Sequence, residues 1–349
     1  MATLIMNELY DDSGHKEPGH PERPDRVTAA LAGVHDLHLG DDLAIVPLRA
    51  ATRVELVRVH EGSYLDELGA FCYSGGGDID PDTYATYDSW VIALHAAGAG
   101  LAVIEEMQRQ KQGVGFIAAR PPGHHALKDR AMGFCLLNNI AIAAATLVGQ
   151  GQRVLIVDWD VHHGNGTQAI FWDNPDVLYV STHQWPLFPG SGTASEVGGW
   201  NAIGETVNIP LPPGATGDVV RRGIEEIATP VIEAFEPTWV LVSAGFDAHR
   251  DDPMADLALT SGDYAHLAQT AAAFAPAPGR LVMFLEGGYQ LDALRSSVQA
   301  VLGSVLGGEG GDEPPSTGGP GGEHVSRAQF ERSAALTLMH NASEGEVKS

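Results

Sequence analysis

Basic residues are scarce: 20 lysines and arginines stand against 45 aspartates and glutamates, giving a formal net charge of −25. The stretch after Leu306 holds seven acids and three bases, so the body of the chain keeps about −21. A field of that sign repels phosphate backbones, which argues against direct nucleic-acid binding, and it attracts cationic partners. It also serves solubility whatever the ligand. Cysteine is nearly absent. Cys72 and Cys135 lie outside any Cys-x-x-Cys pair, cannot build a disulfide framework and read as buried thiols. No run reaches the roughly 20 apolar residues of a membrane span, and the N-terminus lacks a basic region followed by an apolar one. The expected location is cytoplasmic, away from membranes.

Apolar residues make up 44% of the 349, enough for a sizeable core in one large α/β domain or two small ones. Apolar, β-branched runs at 3–7, 153–158, 177–181, 238–243 and 281–285 read as strands buried on both faces. Helical patterns over 26–37, 89–110, 138–147, 218–235, 262–274 and 291–302 alternate with them. Such alternation predicts a parallel sheet with helices on both faces. Residues 1–306 form the expected domain. Glycine and proline dominate 307–322, which predicts a flexible linker, and the 323–349 tail carries Val325, Phe330, Ala334, Leu336, Leu338 and Met339 in the pattern of a short amphipathic helix.

Four of the buried runs end in chemistry. The run at 153–158 leads into Asp158, Asp160, His162, His163 and Asn165; the run at 238–243 leads into Asp247, Ala248 and His249. A third, at 115–119, leads into Arg120-Pro121-Pro122-Gly123-His124-His125, and a fourth, at 281–285, into Glu286-Gly287-Gly288-Tyr289. A lone aspartate after a strand is usually a turn former or helix cap. In open α/β sheets, however, ligands collect beyond the carboxyl ends of the strands, so these groups should meet at one edge.

Asp160, His162 and Asp247 form a candidate metal site whose two carboxylates and one imidazole leave coordination positions open, as catalysis requires. Zn²⁺ is the default, and Fe²⁺ or Co²⁺ suits the same ligands. A bound metal would polarise an amide carbonyl and acidify a water. His124 and His125 can divide general base and acid duties, and Tyr289 can donate to an oxyanion. Asp158 is placed to accept a histidine N–H and Asn165 to do the same for the other histidine; carboxylate against amide would make the two rings titrate apart. Phe134 and Phe188 would flank a narrow apolar slot. Asp78 and Asp80, in a glycine-rich acidic loop before the 89–110 helix, either complement that helix's dipole or grip a substrate at the rim.

These motifs, from Arg120-Pro-Pro-Gly-His-His125 through Gly133-Phe-Cys135, Asp158-x-Asp-x-His-His-Gly-Asn-Gly166 and Gly245-Phe-Asp-Ala248 to Glu286-Gly-Gly-Tyr289, resemble those of the zinc-dependent histone deacetylase superfamily, which includes acetylpolyamine amidohydrolases. The resemblance covers roughly residues 1–302 and implies a three-layer arginase-like fold with a central, mostly parallel eight-stranded sheet flanked by helices. It implies Asp160, His162 and Asp247 as zinc ligands, His124 and His125 as the acid/base pair, Tyr289 as transition-state donor, and Phe134 and Phe188 as walls of an acyl-lysine tunnel. It also implies K⁺ at Asp158, Asp160, His162 and Ser181. Asn165 and Asp247-Ala248-His249 look like the class II branch. Met254 stands at the mouth where polyamine-selective relatives carry glutamate, which weakens a polyamine reading, while Asp78, Asp80, Asp82 and the acidic surface favour it. The expected substrate is an acetylated lysine peptide or, alternatively, an acetylated polyamine; a noncatalytic acetyl-lysine binder is the reading from another class. A homo-oligomer is compatible with the sequence, and nothing in it points to a different partner chain.

Overall fold

The computed structural model describes residues 2–308, 311 and 313–346, with side chains to residue 342. Among the described residues ten strands form: β1 Leu4–Asn7, β2 Leu43–Val46, β3 Gly76–Asp78, β4 Tyr84–Thr86, β5 Val114–Ile117, β6 Val154–Asp158, β7 Val177–Gln184, β8 Thr206–Leu211, β9 Trp239–Ala244 and β10 Leu281–Leu285. The helices are α1 Asp25–His35, α2 Arg53–Leu56, α3 Gly62–Tyr73, α4 Ser89–Gln110, α5 Asn139–Val148, α6 Asn165–Phe171, α7 Gly217–Gly223, α8 Thr229–Phe235, α9 Ser261–Ala273, α10 Leu291–Leu306 and α11 Gly322–Glu346.

Eight strands make one sheet in the order β2-β1-β5-β10-β9-β6-β7-β8, and every pairing in it is parallel. The expectation of a mostly parallel sheet is thus met in full. Within β6 the side chains alternate between two cores: Val154 and Ile156 join one, Leu155 and Val157 the other. The sheet is therefore the middle of three layers, and its central strands read as continuous apolar runs because neither of their faces meets water. β5, β10, β9 and β6, the four strands that lead into the candidate site residues, are neighbours at its centre. Being parallel, they deliver those ends to one edge.

β2, α3 and β8 carry little sequence signal. β2 is a partly exposed edge, and β8 is the opposite edge, where Pro210 is tolerated. The helix expected over 218–235 is broken by a π turn at Ile224–Ala228. Pro230 has no N–H to offer in the next turn, and Thr229 Oγ1 donates to Ile224 O at 3.1 Å where the ladder widens. α4 is long and apolar enough to cross a membrane by composition, which the sequence-based expectation of no such run overlooked; here it is a core helix packed on α5 and β5.

Part of the stretch read as a flexible linker has specific partners. Ser316 N donates to Asp263 Oδ2 at 2.9 Å and Gly319 N to Thr216 Oγ1 at 2.8 Å. Composition cannot foresee that acceptors at the starts of α7 and α9 will hold a glycine-rich chain. α11 runs 25 residues rather than a short stretch, with Val325 and Ala328 buried and Arg332 bonded to Thr206 O and Gly204 O.

A buried histidine ties α2, a loop and α5 together. His60 is 2% exposed; its Nδ1 lies 2.9 Å from Leu127 O, and Asn138 N donates to its Nε2 at 2.9 Å. Burial outweighs the carbonyl contacts and pulls its pKa down to about 4. Because the folded value lies below the unfolded 6.5, the stabilising effect is complete above 6.5 and is lost as pH falls toward 4. Urea titrations should show that moving from pH 7 to pH 5 costs the native protein about 2 kcal/mol more than it costs His60→Gln. Equal pH slopes for the two proteins would contradict this account of His60.

Candidate metal centre and cavity

Asp160 and His162 follow β6, and Asp247 follows β9. His162 Nδ1 lies 3.1 Å from Asp160 Oδ1 and 3.2 Å from Asp247 Oδ2, and one ligand atom from each residue falls within 4.8 Å of the others. All three residues are buried. Backbone amides fix the carboxylates: Gly287 N donates to Asp160 Oδ2 at 2.7 Å and Val161 N to Asp247 Oδ1 at 2.9 Å.

Two facing carboxylates in a buried site need a cation, and their ion-pair partners among the described residues are histidines alone. Burial and the Asp160 charge push the Asp247 pKa up to about 7. Against the pull of burial, the two carboxylates hold His162 up to about 10. A Cβ on Gly287 would stand 2.0 Å from Asp247 Oδ2 and 2.6 Å from Asp160 Oδ2, so only glycine leaves room around these oxygens. Donor set, charge and space all fit a divalent ion of the kind the sequence implied.

His124 and His125 follow β5, their ring centroids 4.0 Å apart. His124 Nδ1 lies 3.0 Å from Asp158 Oδ2, which also accepts the Tyr179 hydroxyl at 3.0 Å; His125 Nδ1 lies 2.7 Å from Asn165 Oδ1. The surroundings of the two rings differ. Burial disfavours both imidazolium forms, but the carboxylates of Asp158 and Asp160 outweigh it and hold His124 up to about 10. His125 faces an amide instead, and burial with the nearby His124 and His162 charges drives it well below the ordinary value. With each Nδ1 donating to its acceptor, each Nε2 is left for chemistry.

Beside these rings lies a cavity of about 230 Å³, lined by His124, His125, His162, Phe134, Phe188, Met254, Tyr289 and Asp82 among others. Phe134 packs edge-on to Tyr289 at 5.9 Å between centroids, and Phe188 to His125 at 5.1 Å. Phe134 sits in a tight turn closed by Met132 and Cys135, in which Gly133 and Phe134 both have positive φ, 57° and 67°. A Cβ on Gly133 would lie 2.5 Å from the His125 ring, so glycine is required there. A larger cavity of about 740 Å³, bordered by Leu31, Val34, Leu43 and Ile45, brings no comparable cluster of ligands together.

Asp158 and Ser181 lie behind the cavity rather than on its wall, side by side in register on β6 and β7, with Ser181 Oγ 2.9 Å from His183 Nδ1. Of the acidic loop only Asp82 lines the cavity; Asp80 Oδ1 accepts Asp82 N, and Asp78 belongs to the small hairpin.

Several supporting residues escaped the sequence reading. Glu286 Oε2 accepts Gly123 N at 2.7 Å and His124 N at 3.2 Å, fixing the histidine loop. Arg26 is fully buried, donates to Gly288 O at 2.7 Å, bonds Glu286 O, and lies 4.7 Å above the Tyr289 ring. Asp252 accepts the amides of Tyr289 and Gln290 at 2.6 and 3.0 Å. Arg26 opens a helical pattern and Glu286 stands in a motif already singled out, but nothing local in the sequence marks the distant backbone groups that these side chains hold.

The family model described as histone deacetylase domain matches residues 20–305. The chain belongs to the histone deacetylase family. A probable deacetylase of Archaeoglobus fulgidus is 40% identical over 83% of this chain and 81% of its own length. A rice protein, histone deacetylase 10, chloroplastic, is 38% identical over 84% of this chain and 71% of its own. The crystal structure of the HDA15 HD domain superposes with a TM-score of 0.87 at 33% identity, covering 97% of this chain and 99% of that one. The three-layer sheet is thus the arginase-like architecture of a histone deacetylase domain, and the family relationship supports a deacetylase, hence a hydrolase.

Proposed function

We propose that the protein is a Zn²⁺-dependent deacetylase that hydrolyses the N-acetyl amide of lysine side chains in proteins or peptides to acetate and free amine. The observation that carries this is the junction of His124, His125 and Tyr289 on one cavity beside the Asp160, His162 and Asp247 cluster. Asp160, His162 and Asp247 would hold the ion, which when bound polarises the acetyl carbonyl and acidifies a water.

The chain's own groups then handle protons and charge. His125, kept neutral, accepts the water proton at Nε2. As water adds to the acetyl carbon, the Tyr289 hydroxyl donates a hydrogen bond to the oxyanion that develops on the carbonyl oxygen; no hydrogen bond ties that hydroxyl elsewhere among the described residues. His124, protonated beside Asp158, supplies the proton that the departing amine needs. Phe134 and Phe188 guide the methylene chain, and Asp82 and Met254 meet what lies beyond it. Asp158 and Ser181, adjacent in register, support a K⁺ site shared with Asp160 and His162. The buried, unpaired thiols of Cys72 and Cys135 suit a reducing compartment such as the cytoplasm.

Asp82 and the charge of −25 favour a second reading, an acetylpolyamine amidohydrolase. Competition between an acetyl-lysine peptide and acetylspermidine decides: kcat/KM favouring the polyamine by more than about tenfold overturns the lysine reading.

The Asn165 amide yields a separate prediction. Asn165→Asp should place a carboxylate on His125 Nδ1, as Asp158 stands on His124 Nδ1. The pKa of His125 then rises, so more of the base is protonated at low pH. The acid limb of the kcat/KM profile should move up by about one pH unit or more, with activity retained above it. A profile that does not move would remove His125 from the role of base.

A further inference from the structure

Glu313 lies past residue 305, where the family match ends, and meets the start of α9 and the segment that follows β9. Glu313 Oε2 accepts Ser261 N and Ser261 Oγ, both at 2.9 Å, at the start of α9. The same oxygen lies 3.3 Å from His249 Nε2, and Oε1 pairs with Arg250 Nη2. His249 is 3% exposed, and its Nδ1 accepts Asp251 N at 3.2 Å, so the ring proton sits on Nε2 and is donated to Glu313. Asp252 N donates to His249 O at 2.9 Å, so one short turn joins the histidine to Asp252. Asp252 in turn accepts the Tyr289 and Gln290 amides, and its other oxygen accepts Met254 N at 3.1 Å. Tyr289 and Met254 both line the cavity.

We infer that Glu313 is a positioning residue for Tyr289: acting through His249 and Asp252, this tail glutamate fixes the turn that carries the phenol and the methionine beside it. The inference rests on Tyr289 being the oxyanion donor. A glutamate that merely capped α9 through Ser261 would leave the Tyr289 turn untouched, so the two roles separate by where they act.

The test uses the full-length, metal-loaded protein and Glu313→Ala, which removes the acceptor that Ser261 and His249 share, with Ser261→Ala as the control that weakens only the contact to α9. By hydrogen exchange, the amides of Tyr289 and Gln290 should exchange about tenfold faster while β6 is unchanged. Unchanged exchange at those two amides overturns the inference, whatever the enzyme's activity. In turnover of an acetyl-lysine peptide, the variant should lose roughly threefold to tenfold in kcat with KM nearly constant, and nothing further when combined with Tyr289→Phe. Losses that multiply would mean that Glu313 acts elsewhere. Arg250→Ala, at a half-exposed side chain away from α9, should move the same readouts in the same direction and decides the matter if Glu313→Ala does not fold. A native protein without turnover would count against the deacetylase reading, and the exchange result would still judge Glu313.

Discussion

Tyr289→Phe is expected to lower kcat on an acetylated amine by about 10²–10³-fold while changing KM little. The phenol lines the cavity, its ring is clamped between Arg26 and Phe134, and its backbone amide is held by Asp252. Removing one oxygen leaves all of those contacts in place. What is lost is a donor aimed at charge that exists only in the transition state, and an interaction of that kind appears in kcat rather than in ground-state binding. Steady-state kinetics on the folded variant checks this. A fall in kcat of less than about threefold would remove Tyr289 from the role of oxyanion donor.

Asp247→Asn is expected to abolish tight metal binding and to reduce turnover about 10³-fold or more, the scale of losing a Lewis acid worth several kcal/mol. The same change should not destabilise the metal-free protein. Asp247 faces Asp160 in a buried site, and its pKa is raised to about 7 by burial and that neighbour, so the ionised form is disfavoured in the fold. A folded pKa above the unfolded value means that stability falls as pH rises from the ordinary carboxylate range through 7. An amide at position 247 removes that penalty. Metal analysis and urea unfolding of the metal-free proteins at pH 7.5 check both halves: metal is lost while the midpoint holds or rises. A variant that keeps its metal, or one whose metal-free form is clearly less stable, contradicts the reading of 160, 162 and 247 as a ligand set.

The central layer was legible because its strands are buried on both faces and therefore read as uninterrupted apolar runs, as β6, β9 and β10 do. The polar residues just beyond them stood out against that background, which is why Asp160, His162, Asp247, His124, His125 and Tyr289 could be named together. Edge elements carry no such contrast. β2 is half exposed and β8 contains Pro210, so each looks like loop. The residues that hold the site were least visible. Arg26, Glu286 and Asp252 act through backbone carbonyls and amides far away in sequence, and a hydrogen bond from residue 26 to residue 288 leaves no local pattern. The contacts of the 307–322 segment were invisible for a related reason. Its glycines and prolines signal slack, yet their partners at Asp263 and Thr216 exist only once α9 and α7 are folded.

The most direct measurement is acetate release from an acetyl-lysine peptide by protein stripped with a chelator and then titrated with Zn²⁺. The account predicts no turnover when stripped, recovery in proportion to added metal up to one ion per chain, and no recovery in Asp247→Asn. Turnover that survives complete removal of metal, or a fully loaded protein that releases no acetate, would contradict it.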